Sequence, residues 1–316
     1  MDAVAQIAKN SEELRGPPPL ELAGLWSLDG RAMAVWTPQS RKRVRQATRD
    51  LGVALRRKIH PFCMHVKGHG GVKGAVRLVQ RLLVRVQFVG RFDVASYYRS
   101  IRHDHLLTQL DQARVPERLQ ALIEDYLRLP DSRATGHGLV AGGGLSPLLG
   151  ALHLIDVDRA LGNQRLRSAG VYYLRYMDDI LILTRTRWQL RRAIATLRRM
   201  LGELDLELHP EKRFIGRTTA GFDFLGYRFH SGRRLRPSAQ SLKRLLTRSR
   251  RLHEQGAPRA RLWRYVERWV EWLWGGLGRI VSRKGGRRTY WIYIVKRLCM
   301  PTAALTRRSL HPHSCR

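Results

Sequence analysis

Two adjacent carboxylates, Asp178 and Asp179, interrupt the most apolar stretch of the chain, with Val171-Tyr-Tyr-Leu-Arg-Tyr-Met before them and Ile180-Leu-Ile-Leu-Thr after. β-Branched and aromatic runs on either side of so short a break read as a strand-turn-strand hairpin. Ionised carboxylates held against buried strands need a counter-charge. A divalent metal is the obvious candidate.

A third acid lies upstream. Asp93 ends a strand-like segment, Val86-Gln-Phe-Val-Gly-Arg-Phe-Asp-Val94, and would meet the other two if the elements pair. Two divalent ions about 4 Å apart need bridging carboxylates and stabilise the attacking and leaving oxygens of an in-line displacement at phosphorus. The three acids therefore predict nucleotidyl transfer; strand-end capping is the plainer reading of Asp93 alone.

Charge narrows the substrate. Lys and Arg outnumber the acids 59 to 25, a formal net charge of +34 spread along all 316 residues, which points to a polyanionic partner. Nucleic acid is favoured over a membrane because no run approaches the roughly 18 apolar residues of a spanning helix. The N-terminus lacks the basic and apolar regions of a signal peptide, so a cytoplasmic protein is expected. Cys63, Cys299 and Cys315 have no metal or redox spacing and read as ordinary thiols. The tail His311-Pro-His-Ser-Cys315 resembles a metal binder only in composition.

Residues 1–57 read as a Pro-rich and then basic region of helices. A flexible basic loop, Lys67 to Gly74, precedes a helix over 75–84, the Asp93 strand, a helix over 103–127, a loop over 131–144 and a helix over 145–161. After the hairpin come a helix over 188–201, with Leu190, Ile194, Leu197 and Leu201 as its buried stripe, and strands over 206–215 and 222–229. From Ser238 onward the pattern is helical and basic, with Trp263, Val266, Val270, Leu273 and Leu277 on one face and Gly275-Gly276 as a stop. The order predicts an α+β fold with an antiparallel hairpin at its centre.

Phe92-Asp93, Gly142-Gly-Gly-Leu-Ser146-Pro147-Leu-Leu and Tyr176-Met-Asp-Asp179 resemble, in order and spacing, motifs A, B and C of reverse transcriptases. Leu-Ser-Pro-Leu-Leu, His209-Pro-Glu-Lys212 and Gly221-Phe-Asp-Phe-Leu-Gly-Tyr227 are most similar to the bacterial lineage related to group II introns. The resemblance spans roughly residues 58–280 and implies a right-hand polymerase. Fingers and palm, an antiparallel sheet with helices, would occupy 58–235, a helical thumb 236–300, and a basic tail 301–316.

It also implies roles. Asp93, Asp178 and Asp179 would be catalytic, holding two Mg²⁺ ions, for which Mn²⁺ could substitute, with the Val94 carbonyl as a further oxygen donor. Tyr98 would be the gate that excludes a ribose 2′-OH; Tyr97 competes for that place, and a core aromatic is the plain alternative. Lys67, Lys73 and Arg77 would grip the incoming dNTP, or contact template phosphate, and Gly142 would approach the templating pair. Lys212 would protonate pyrophosphate, or be a surface lysine. Phe222, Leu225, Gly226 and Tyr227 would form the primer grip, which could equally be ordinary core, while Arg244, Arg248, Arg250 and Arg251 would track the duplex. Val140-Ala141-Gly142 departs from the family's Pro-Gln-Gly and lacks the amide side chain.

The reading is an RNA-directed DNA polymerase acting on an RNA template and DNA primer, with a structured RNA or accessory protein as a further partner. The alternatives are an RNA-directed RNA polymerase, against which Tyr98 argues, an RNA-binding maturase, and a defence-associated reverse transcriptase with unconventional priming. No endonuclease motif follows the thumb segment.

Overall fold

The computed structural model describes residues 18–28, 31–129, 135–140 and 142–300. The Pro17 end of the N-terminal stretch, most of the 131–144 loop's first half, Ala141 and the 301–316 tail with its His and Cys residues lie outside them. Where helices were expected before residue 57, the chain first makes an antiparallel hairpin, β1 (Leu22–Leu28) with β2 (Arg31–Trp36). Trp36 explains its anchorage: the buried indole stacks on Tyr126 at 5.5 Å and 12°, a favourable offset arrangement. Helix Pro38–Leu55 follows, with the Thr37 hydroxyl accepting from the Ser40 N–H and Pro38 in its first turn. Its Val44, Ala47, Leu51 and Leu55 are buried in the main core.

The central sheet has the order β4 (Val171–Tyr176), β5 (Asp179–Thr184), β3 (Phe88–Asp93), β6 (Phe214–Arg217), antiparallel throughout. Strand alternation sends successive side chains to opposite faces. Ile180 and Ile182 enter one core with helices Pro38–Leu55, Ser146–His153 and Arg187–Gly202. Leu181 and Leu183 enter a second with helix Gly71–Leu82 and the strand residues Phe222, Phe224, Tyr227 and Phe229. Both faces are covered, so the hairpin strands are apolar on both alternations.

Three expected elements are shorter or broken. The 103–127 helix is two, His103–Gln112 and Glu117–Arg128, because Arg114 turns left-handed (φ 47°) and Pro116 cannot continue a helix. The 145–161 helix bends at Leu154 (φ −98°, ψ 17°) into Ser146–His153 and Ile155–Gly162. Only β6 is strand in the 206–215 region. Leu208 makes a lone bridge to Val94, and Pro210, with no N–H, prevents a ladder there.

Beyond the sheet, β7 (Phe222–Phe224), β8 (Tyr227–Phe229) and β9 (Arg236–Pro237) form a small antiparallel sheet. Helices Ala239–Glu254, Arg259–Trp274 and Gly286–Arg297 then pack around Leu245, Leu262, Val266, Val270, Trp291 and Ile294. The middle helix stops at Gly275, as its sequence predicted. Sheets with mixed helices and a helical C-terminal bundle make the fold α+β. No helix among the described residues is long and apolar enough to cross a membrane.

Candidate active site

Pairing of β3 with β5 puts Asp93 directly opposite Asp179, and the hairpin turn puts Asp178 beside both. The Val94 N–H donates to the Asp178 carbonyl at 3.2 Å, so the end of β3 is tied to the turn itself. The three acids that sequence order suggested as one constellation thus stand at one end of the sheet.

Their charges are met in different ways. Arg91, two residues before Asp93 on the same strand, makes a two-pronged contact to Asp179, Nε to Oδ1 at 2.9 Å and Nη2 to Oδ2 at 3.3 Å. Lys212 Nζ reaches Asp93 Oδ2 at 3.0 Å. Burial, with the like charges of Asp178 and Asp93, pushes the Asp179 carboxyl up to about 6 despite Arg91.

Lys212 is brought there by the backbone: the His209 N–H donates to the Asp93 carbonyl at 2.7 Å, and the His209 ring accepts from the Glu211 and Lys212 N–H groups. A distant lysine, ambiguous in sequence, therefore sits on the candidate acid.

The donor set suits a hard divalent cation, being carboxylate oxygen on adjacent strands. Among the described residues no three His, Cys, Asp or Glu side chains are gathered into one metal cage. Asp179, expected among the ligands, has both oxygens on Arg91. Lys212 occupies one oxygen of Asp93.

The two tyrosines part company. Tyr97 is buried and donates its hydroxyl to the Gly150 carbonyl at 2.5 Å. Tyr98 is only partly buried, and desolvation together with the negative charge of Asp178 pushes its phenol up to about 12. Tyr98 is thus the tyrosine exposed to the acids' field, packed against Gly150, where a Cβ would come within 3.0 Å of its ring.

The glycines of the 142–144 loop serve close packing within the protein. Gly142 (φ 80°) lies under Met33 of β2, and a Cβ on Gly143 would fall 1.7 Å from the Tyr126 hydroxyl. That hydroxyl shares a 2.7 Å hydrogen bond with Ser146, which donates to the Val140 carbonyl.

Two expected groupings separate, and a third stays together on one helix. Lys67 is exposed on the loop before helix Gly71–Leu82. Lys73 and Arg77 of that helix do not join the acids: Lys73 donates to the Tyr227 hydroxyl and the Trp272 carbonyl and lies over both rings, and Arg77 donates to the Gly276 carbonyl. Phe222 and Tyr227 are core, Tyr227 donating to the Leu273 carbonyl at 2.9 Å, while Leu225 (φ 47°) and Gly226 (φ 86°) form the hairpin tip against Trp272. Arg244, Arg248, Arg250 and Arg251 are exposed on helix Ala239–Glu254.

Sequence reasoning missed a buried pair beneath the turn. Arg175 and Asp158 are both fully buried, with Arg175 Nε and Nη2 on the two Asp158 oxygens at 2.7 and 2.5 Å. Arg175 also donates to the Met177 and Ala151 carbonyls, and the Tyr173 hydroxyl donates to Asp158 at 2.7 Å. An arginine inside a strand otherwise made of apolar and aromatic residues was the available signal, since a charge buried there demands a buried acid.

Residues 38–229 match the family model described as reverse transcriptase (RNA-dependent DNA polymerase). A search of the curated proteins finds no match. Among solved structures, apo telomerase from Candida tropicalis superposes with a TM-score of 0.53 at 10% identity, over 93% of this chain and 63% of that one. A form of it truncated from the C-terminal domain gives 0.50 at 13% identity, over 73% and 58%. At such identities the likeness is one of fold, and the chain spans about three fifths of the telomerase chains it matches.

Proposed function

The chain belongs to the reverse transcriptase family, and from that premise we propose that it is an RNA-directed DNA polymerase that extends a primer 3′-OH with dNTPs. The observation that carries this reading is the in-register approach of Asp93 and Asp179 beside the Asp178 turn. Asp93 and Asp178 would hold Mg²⁺, with Asp179 beside them and the Val94 carbonyl as a further donor. Bound there, the metal would stabilise the charge developing on the attacking and leaving oxygens at the α-phosphate.

The protein's own residues set up the rest. Arg91 fixes the direction of Asp179 and offsets part of its charge. Lys212, whose Nζ lies 3.0 Å from Asp93, would meet the departing pyrophosphate and give it a proton. The Tyr98 ring would lie beneath the sugar and disfavour a 2′-OH. Lys67 would meet the triphosphate from the fingers; Lys73 and Arg77 are better supported as ties between helix Gly71–Leu82 and the thumb. Gly142 would adjoin the templating pair.

We further propose that residues 58–235 act as fingers and palm, and 236–300 as the thumb. In this division helix Pro38–Leu55 is packed into the fingers and palm core. The tip at Leu225-Gly226, backed by Phe222 and Tyr227, would steady the primer, and Arg244, Arg248, Arg250 and Arg251 would contact duplex phosphates. The lineage is that of group II intron-like enzymes, supported by the Leu-Ser-Pro-Leu-Leu and His-Pro-Glu-Lys strings, and the site of action is the cytoplasm.

The test offers the purified chain an RNA template annealed to a DNA primer, with dNTPs or rNTPs and Mg²⁺. Templated addition of dNTPs is expected. Preferential rNTP addition would favour an RNA polymerase, and tight RNA binding without any addition would favour a maturase.

A further inference from the structure

His65 belongs to none of the motifs above, yet it touches the catalytic turn. Met177, between Tyr176 and Asp178, adopts the left-handed conformation at φ 57°, which costs a non-glycine residue about 1 kcal/mol or more. Something must hold it there. The Met177 N–H donates to His65 Nδ1 at 3.0 Å, and the Met177 carbonyl accepts from Arg175 at 3.0 Å, so both of its own polar groups are engaged.

The other side of the imidazole reaches helix Ser146–His153. His65 Nε2 lies 3.0 Å from the Pro147 carbonyl. Because Nδ1 accepts from an amide, the proton sits on Nε2, which donates to Pro147. Burial holds the imidazole near pKa 4 and therefore neutral, as this arrangement requires.

The ring is itself fixed. Its loop is stitched to β4 by Met64 N–H to the Arg175 carbonyl at 2.8 Å and Arg175 N–H to the Phe62 carbonyl at 2.9 Å, and Tyr176 meets its edge at 5.8 Å. The helix at its far side carries Gly150, which accepts from Tyr97 and packs against Tyr98. One side chain thus joins the segment beneath the tyrosines to the peptide preceding Asp178.

We propose that His65 is a positioning residue: it holds the Met177 peptide in its left-handed conformation and so directs Asp178, tying the turn to the helix on which Tyr98 rests. The inference rests on the polymerase reading for its kinetic consequence only. Removing an outer residue that orients a ligand commonly costs 10- to 100-fold in metal affinity or activity.

The experiment compares His65→Ala, His65→Phe and His65→Asn in the full chain. Phe keeps the volume and the contact with Tyr176 but has no acceptor; Asn restores an oxygen near the Nδ1 position. Two quantities are read: the Met177 methyl resonance in a methionine-labelled NMR spectrum, assigned by Met177→Leu, and the Mg²⁺ concentration for half-maximal single-nucleotide extension. Ala and Phe are expected to displace or split the resonance and raise the Mg²⁺ requirement about tenfold, with duplex affinity unchanged, and Asn to return both toward the parent values. An undisturbed resonance and an unchanged Mg²⁺ requirement in folded Phe or Ala variants would overturn the inference, as would an Asn variant that behaves like Phe. If the parent chain extends no primer, the polymerase reading fails, while the resonance still decides the role of His65.

Discussion

The Arg175–Asp158 pair offers a quantitative test of how the turn is supported. Both side chains are fully buried and joined by two hydrogen bonds, with Tyr173, Ala151, Met177 and the Cys63 sulfur as further partners. Removing one member of such a pair leaves an uncompensated buried charge and costs about 3–5 kcal/mol. At roughly 2 °C per kcal/mol for a chain of this size, that is a melting-point loss of roughly 6–10 °C. Asp158→Asn and Arg175→Gln should each show it in thermal melts followed by circular dichroism.

The double variant replaces the two ions with two amides. Neither is then a stranded charge, so its loss should fall well below the sum of the singles, with a coupling of roughly 2–3 kcal/mol. Additivity of the two losses to within about 0.5 kcal/mol would refute the argument, because it would mean the charges do not depend on one another. The Met177 carbonyl still loses its guanidinium donor in the double variant, so recovered stability should not bring full recovery of extension.

The remaining expectations concern the acids and their neighbours. Tyr98→Ala should raise rNTP incorporation relative to dNTP in the extension assay, whereas Tyr97→Phe, which loses only the bond to Gly150, should leave that ratio unchanged. The Asp179 carboxyl, at about 6 in the fold against roughly 4 unfolded, binds a proton more tightly when folded. Its contribution in metal-free protein is therefore fully favourable below about pH 4 and is lost as pH rises through 6. Asp179→Asn should accordingly gain melting temperature on the parent between pH 5 and pH 7.5, measured with chelator present. Gly143→Ala places a Cβ against the Tyr126 hydroxyl and should cost about 1–3 kcal/mol in denaturant melts, part of it relieved by Tyr126→Phe.

Much of the fold around the central sheet was legible because its signals are local. The Asp178 turn between two apolar runs, the Asp93 strand and the stripe Leu190, Ile194, Leu197 and Leu201 on helix Arg187–Gly202 all carry their pattern within a dozen residues. The first hairpin was not legible: its anchor, Trp36 on Tyr126, is a contact across ninety residues that no periodicity reports. The helix break before Pro116 carried a local signal in the proline itself, whereas the bend at Leu154 has none in its sequence.

Site residues followed the same division. Asp93, Asp178 and Tyr98 stood out by type and place. Arg91 and Arg175 did not, since one basic residue among 59 is conspicuous only when its partner is known, and His65, one of 12 histidines, lay outside every motif. Lys73 and Arg77 looked like phosphate ligands beside glycines, but the far end of the chain supplies Tyr227, Trp272 and Gly276 to receive them.

The most direct measurement is incorporation of a single complementary dNTP onto a DNA primer annealed to RNA, in Mg²⁺, by the parent chain and by Asp178→Asn, each checked for folding by its melt. The parent should add the templated nucleotide and the folded variant should add none. Equal addition by both, or none by a folded parent, would contradict the assignment of the turn as the catalytic centre.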